Sequence, residues 1–205
     1  ANNPVNIIDP DGNSVTADDK SIENIKNTLT AEECSYIMFK DGVLDANTLN
    51  KCKSKSNNMI ALKSLANSEL DYIFISSDCA IDGTEFYNTK PDGNYSYGLT
   101  LMPHNKKNPS PDDKIYICVG NMLSEEQQAL TTAHEAFGHA YFYEITRNPI
   151  EASHKYLALP CITLNPYTMH FEAGSIKKTI DRPIERQIKV VVEEAYNNYH
   201  KLWEK

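Results

Sequence analysis

The stretch from Thr131 to Glu144, TTAHEAFGHAYFYE, restricts this chain more than any other. It sets His134, Glu135 and His139 in an apolar, helix-favouring run interrupted by a single glycine, Gly138. Two imidazoles beside a carboxylate are the groups a hydrolytic zinc site requires. Neutral ring nitrogens bind Zn²⁺, and a glutamate that is not a ligand takes a proton from water at the metal. The usual spacing, H-E-x-x-H, puts the histidines four apart on one face of an α-helix. Here they are five apart, as H-E-x-x-G-H. At about 100° per residue, five residues overshoot a full turn by about 140°, so a regular α-helix would splay the rings. One residue absorbed as a π-bulge brings them back together, and such bulges gather at functional sites. Gly138 stands where that distortion costs least. The competing reading is two partly buried histidines with ordinary hydrogen-bond partners, and a glycine that serves close packing.

A hydrolytic zinc site takes three protein ligands and keeps one position open. The glycine turn and third histidine that extend the motif in metzincins are absent after His139. Glu144 is ten residues beyond His134, about 15 Å along a helix axis, and out of range. The pair Glu193-Glu194 on a later helix supplies the better candidates. Glu194 follows Val190 and Val191 by four and three residues and so points toward an apolar face. A carboxylate there needs compensation, which a metal provides. Glu193 follows Lys189 by four residues and suits a solvated surface pair. Glu194 is therefore the first choice, Glu193 the fallback and His154 the third. Both acids as solvated helix residues is the bland alternative.

Around this stretch the chain alternates helical and strand-like patterns. Ile22, Ile25 and Leu29 recur at helical spacing. Thr30 with Glu33 forms a capping box, and Asp45 and Ser56 read as further N-caps. Residues 34–39 fit a helix or a strand, ended by Asp41-Gly42. LDYIFIS (70–76), YGLTLM (97–102) and KIYICVG (114–120) have the β-branched and aromatic content of strands. Ser124 and Gln127 cap a central helix that Asn148-Pro149 stops. Residues 149–180 are proline-rich and carry His154, Tyr167 and His170; Asp181 then caps a long final helix. The expected fold is α+β and zincin-like. A small, mostly antiparallel sheet packs on the motif helix and on a second long C-terminal helix. One of the two strands before the motif helix would form an edge able to pair with an extended peptide.

Composition narrows the partners. The chain of 205 residues has a formal net charge of −8, which argues against a nucleic-acid partner. Its five cysteines lack C-x-x-C spacing and read as neither a disulfide framework nor a cysteine zinc site. No apolar run approaches the length of a membrane span. The first residues do not resemble a signal peptide, so export would require a signal outside this sequence.

Two short segments resemble known families. NNPVNIIDPDG at residues 2–12 resembles the NNP-x-x-x-x-DP-x-G segment that closes the core of RHS/YD-repeat proteins. That resemblance implies a larger parent protein, with 1–13 the end of its core and 14–205 a zincin-like metallopeptidase domain. HEAFGH is similar to the H-E-x-x-G-H signature of the dipeptidyl-peptidase III family, which draws its third zinc ligand from a Glu-Glu pair on a later helix. The interval from His134 to Glu194, 194 − 134 = 60 residues, is close to that family's separation. The family's two-lobed architecture does not fit into 205 residues, so its dipeptide-releasing specificity is not implied. A wider likeness, over roughly residues 95–200, is to zincin metallopeptidase domains at the C-termini of RHS-type polymorphic toxins. It rests on LSEEQQALTTAHEAFGHAYFYE, on the NP…HKY run at 148–156 and on EEAYNNY.

These readings converge on a gluzincin-type zinc peptidase, the tip of a secreted or cell-surface effector protein. Its partners would be a protein or peptide substrate and a cognate immunity protein. His134, His139 and Glu194 hold Zn²⁺ in this reading, and Glu135 is the general base. His154 leads the candidates for stabilising the oxyanion, ahead of His170, Tyr141 and Tyr199. The alternatives are a non-catalytic binding module on the same scaffold and a metal-dependent hydrolase of a non-peptide amide.

Overall fold

A computed structural model describes residues 14–86, 97–153 and 182–203. The fold is α+β. Among the described residues six strands form one sheet: β1 (Val15–Ala17), β2 (Phe39–Lys40), β3 (Val43–Leu44), β4 (Tyr72–Ser77), β5 (Gly98–Leu101) and β6 (Ile115–Gly120), in the order β2-β3-β1-β4-β6-β5. The central pairings, β1 with β4 and β4 with β6, are parallel, whereas β2–β3, β3–β1 and β5–β6 are antiparallel. The sheet is thus mixed rather than mostly antiparallel. β6 is buried along its whole length, which is why IYICVG lacks polar alternation.

Side chains of a strand alternate between faces. In register, Tyr72 and Phe74 of β4 and Ile115 and Ile117 of β6 face the helices. The opposite set, Ile73, Ile75, Leu99, Leu101, Tyr116 and Cys118, packs with Ala80 and Phe86. Burial pushes the Cys118 thiol up to about 12 and the Cys34 thiol up to about 11, so neither is a nucleophile near neutrality. Two short strands escape the sequence patterns. Asp41 and Gly42, with φ of 51° and 80°, form the two-residue turn of the β2–β3 hairpin rather than a helix stop. Two positive φ values are what such a turn demands, and Asp-Gly supplies them.

The helices are α1 (Asp19–Asn27), α2 (Ala31–Cys34), α3 (Ala46–Leu49), α4 (Asn57–Ala66), α5 (Glu125–Thr132), a π-helix (Ala133–Ala140), α6 (Tyr141–Thr146) and α7 (Pro183–Trp203). The side-chain caps at Thr30, Asp45, Ser56 and Ser124 all form, with full capping boxes at Thr30 and Ser124. Residues 1–13 and Asp181 lie outside the described residues. α7 buries Ile184, Ile188, Val191, Val192 and Ala195, while Val190 is exposed. Among the described residues no helix is long and apolar enough to cross a membrane.

Glu33 shows how the polar interior is satisfied. Its carboxylate accepts hydrogen bonds from Thr30 N and Oγ1 and from the hydroxyls of Ser54 and Ser56. Burial alone would raise its pKa, but these donors outweigh it and hold the carboxyl below the ordinary 4.5. A depressed folded pKa contributes stability above the unfolded value, and that stability disappears as pH falls through the folded one. Glu33→Gln is therefore expected to cost about 1–3 kcal/mol at pH 7. The gap from wild type should narrow as urea unfolding is repeated at successively more acidic pH; a pH-independent gap would contradict the assignment.

Candidate metal centre

The motif is helical throughout, but its central turns are wound as a π-helix from Ala133 to Ala140. In an i→i+5 ladder, residues five apart become near neighbours. His134 and His139 accordingly meet, with Nε2 to Nε2 at 3.2 Å and ring centroids at 4.9 Å. Ring nitrogens at this separation share either a proton or a cation. Two nitrogens on a tetrahedral zinc, each bonded at about 2.0–2.1 Å, stand about 3.3 Å apart, close to the separation of this pair.

The tautomer of His139 is fixed by its other nitrogen. Nδ1 lies 2.6 Å from the carbonyl oxygen of Ala152, an acceptor only, so Nδ1 carries the proton and Nε2 presents its lone pair. The chain reaches that position by a tight reversal. Arg147, with φ of 51°, ends α6, and the Asn148 side chain accepts from the amides of Ile150 and Glu151. Ala152 N then donates to Asn148 O at 3.0 Å, which turns the Ala152 carbonyl back onto the histidine.

Glu135 joins the histidines in a cluster whose ligand atoms all lie within 4.8 Å of one another, the one such group among the described residues. Its Oε1 is 4.0 Å from His134 Nε2, while its Oε2 accepts from the Thr100 hydroxyl of β5 at 2.7 Å. β5 is the strand at the end of the sheet order, and it approaches the π-helix closely because residue 98 is glycine. A Cβ there would sit 2.6 Å from Thr131 Cγ2, 2.9 Å from the Cys118 carbonyl oxygen and 3.0 Å from Glu135 Cγ.

Gly138 serves packing rather than backbone freedom. A Cβ on it would lie 2.6 Å from Ile188 Cγ1 of α7, whose Gln187 amide also donates to the Phe137 carbonyl at 3.1 Å. Gly138→Ala is expected to cost about 1–3 kcal/mol through overpacking. Shaving the neighbour, as in Gly138→Ala with Ile188→Ala, should recover part of that loss in thermal unfolding. An additive double variant would show that the contact is not the cause.

Glu194 is not with the histidines. Its Oε2 accepts from Asn57 N and Nδ2, and its Oε1 from Asn58 N, all at 2.8 Å. With Ser54 Oγ receiving Ser56 N and Ser56 Oγ receiving Met59 N, these contacts satisfy all four free amides at the start of α4. The carboxylate finds its compensation on this semi-buried face at a helix N-terminus. Glu193 is exposed and pairs with Lys189 at 3.8 Å. Tyr199 lies against His200, which reaches Glu126 at the start of α5, and Tyr141 opens α6 packed against the core. His154, Tyr167 and His170 lie outside the described residues.

The groups that the motif does not announce are Thr100, Gly98 and the Ala152 carbonyl. The alternation in GLTL was the available signal for the first, since it turns Thr100 to the same face as Ile117. A glycine within a strand pattern, marking a close approach, was the signal for the second. Comparisons of the chain with protein-family models, with curated proteins and with solved structures find no match.

Proposed function

We propose that this domain is a zinc-dependent hydrolase of peptide bonds on a zincin-like scaffold, with His134 and His139 as ligands and Glu135 as general base. The observation that carries the reading is the 3.2 Å approach of two Nε2 atoms, one of them with its tautomer set by Ala152 O. The bound ion would supply the Lewis acid that acidifies a water molecule and polarises a carbonyl. Glu135 then takes the proton on the carboxylate oxygen nearer the imidazoles, because Thr100 occupies the other. A peptide is the favoured substrate because β5 lies at the end of the strand order with Gly98 and Thr100 against Glu135. An extended chain laid along that strand would bring a scissile bond to the base.

Equilibrium titration with Zn²⁺, followed by digestion of a peptide library with the loaded and the chelated protein, tests this directly. One zinc per chain and cleavage that chelation removes support the reading. Zinc binding with no peptide cut would favour a binding module or a hydrolase of another amide, and no binding would end it. The RHS and toxin resemblances extend the proposal to an effector tip secreted as part of a larger protein and neutralised by an immunity partner. Growth arrest on expression in a bacterial cytosol or periplasm, relieved by loss of Glu135, is the expected sign of that role.

A further inference from the structure

We propose that Thr100 is a positioning residue: its hydroxyl selects which oxygen of Glu135 serves as the base. This rests on the hydrolytic reading of the His134–Glu135–His139 cluster and adds a residue that the motif does not contain. Both residues are buried, Glu135 at 8% and Thr100 at 4% exposure. A buried carboxylate without a donor is costly, and Thr100 Oγ1 provides one to Oε2 at 2.7 Å. The same hydroxyl is 3.1 Å from Glu135's own carbonyl oxygen, so it touches both ends of the residue and restricts its rotamer. It has one proton to give, and the carboxylate is the nearer acceptor.

Thr100 stands on a hydrogen-bonded ladder. Thr100 pairs with Ile117 and Gly98 with Val119 in the antiparallel β5–β6 ladder. Absence of a side chain at Gly98 lets the stem of Glu135 lie against the strand. Strand and hydroxyl together hold Oε1 on the imidazole side, 4.0 Å from His134 Nε2. A base carried on a wound-out helix is thus aimed by the neighbouring sheet, and groups that orient catalytic side chains in this way control turnover more than binding.

The test compares Thr100→Val, which keeps the shape and removes the hydroxyl, with Thr100→Ser, which keeps the hydroxyl. Zn²⁺ is the first probe: both variants should bind it with wild-type stoichiometry, because neither alters an imidazole. Crystal structures of the two should show the Glu135 carboxylate displaced in Thr100→Val and in place in Thr100→Ser. On the library peptide that wild type cuts fastest, Thr100→Val should lower kcat by about 10–100-fold. KM should stay within about twofold, and Thr100→Ser should restore most of the rate. An undisplaced carboxylate or wild-type turnover in Thr100→Val would overturn the role, as would a Thr100→Ser chain no better than Thr100→Val. A wild-type chain that binds no zinc or cuts no peptide overturns the hydrolytic reading separately, and the carboxylate positions in the two crystals still decide the role of Thr100.

Discussion

Exchanging Glu135 for glutamine is expected to slow hydrolysis by about 100- to 10,000-fold while the protein keeps its zinc. Glutamine preserves the length of the side chain and an oxygen that can accept from Thr100 Oγ1, so the packing between β5 and the π-helix is retained. What it lacks is a site to hold a proton. The two imidazoles are untouched, because Nε2 of His134 and of His139 face one another and the Ala152 carbonyl holds the far side of the His139 ring. Metal analysis together with initial rates on a cleaved peptide checks both halves of the expectation. Loss of metal along with activity would show that Glu135 is a ligand or a structural brace. Unchanged turnover would show that the proton goes elsewhere.

Glu194→Ala is expected to separate stability from metal binding. The side chain accepts three hydrogen bonds at 2.8 Å from the first turn of α4, and its negative charge lies at the positive end of that helix. Removing it leaves the amides of Asn57 and Asn58 without this acceptor and removes the polar link between α7 and α4. A loss of about 1–3 kcal/mol in urea unfolding follows from the usual cost of a helix cap and of bonds to a charged group. Zinc stoichiometry should stay the same. If the variant instead kept its stability and released the ion, the third-ligand assignment drawn from the sequence would return.

A carboxylate four residues after one valine and three after another does need compensation, and the structure provides it. The amides at the start of α4 are its source, through a contact across 137 residues that no local pattern announces. The same limit applies to the sheet. Strands β4, β5 and β6 were readable from their own residues, as were the caps at Thr30, Asp45, Ser56 and Ser124. The parallel pairings at the centre of the sheet were not, since β1 joins β4 through Val15 and Tyr72, far apart in the chain. β1 is three residues long and β2 and β3 two each, too short for any periodicity.

The π-helix was legible for a geometric reason. A five-residue spacing can bring two ligands together on a helix only if the helix is wound wider, and Ala133–Ala140 is wound so. The spacing alone assigns Gly138 to relieving a distorted backbone, whereas its place in the structure is to admit Ile188 of α7. Thr100 and the Ala152 carbonyl, 35 and 13 residues from their partners, complete a site of which only the helical half was written in one continuous stretch.

X-ray absorption at the zinc edge, on the wild-type chain and on His134→Ala with His139→Ala, tests the central claim most directly. The predicted result is a wild-type zinc shell containing two imidazole nitrogens at about 2.0–2.1 Å, and no stoichiometric zinc in the double variant. A shell without imidazole, or one zinc per chain in the double variant, would contradict it.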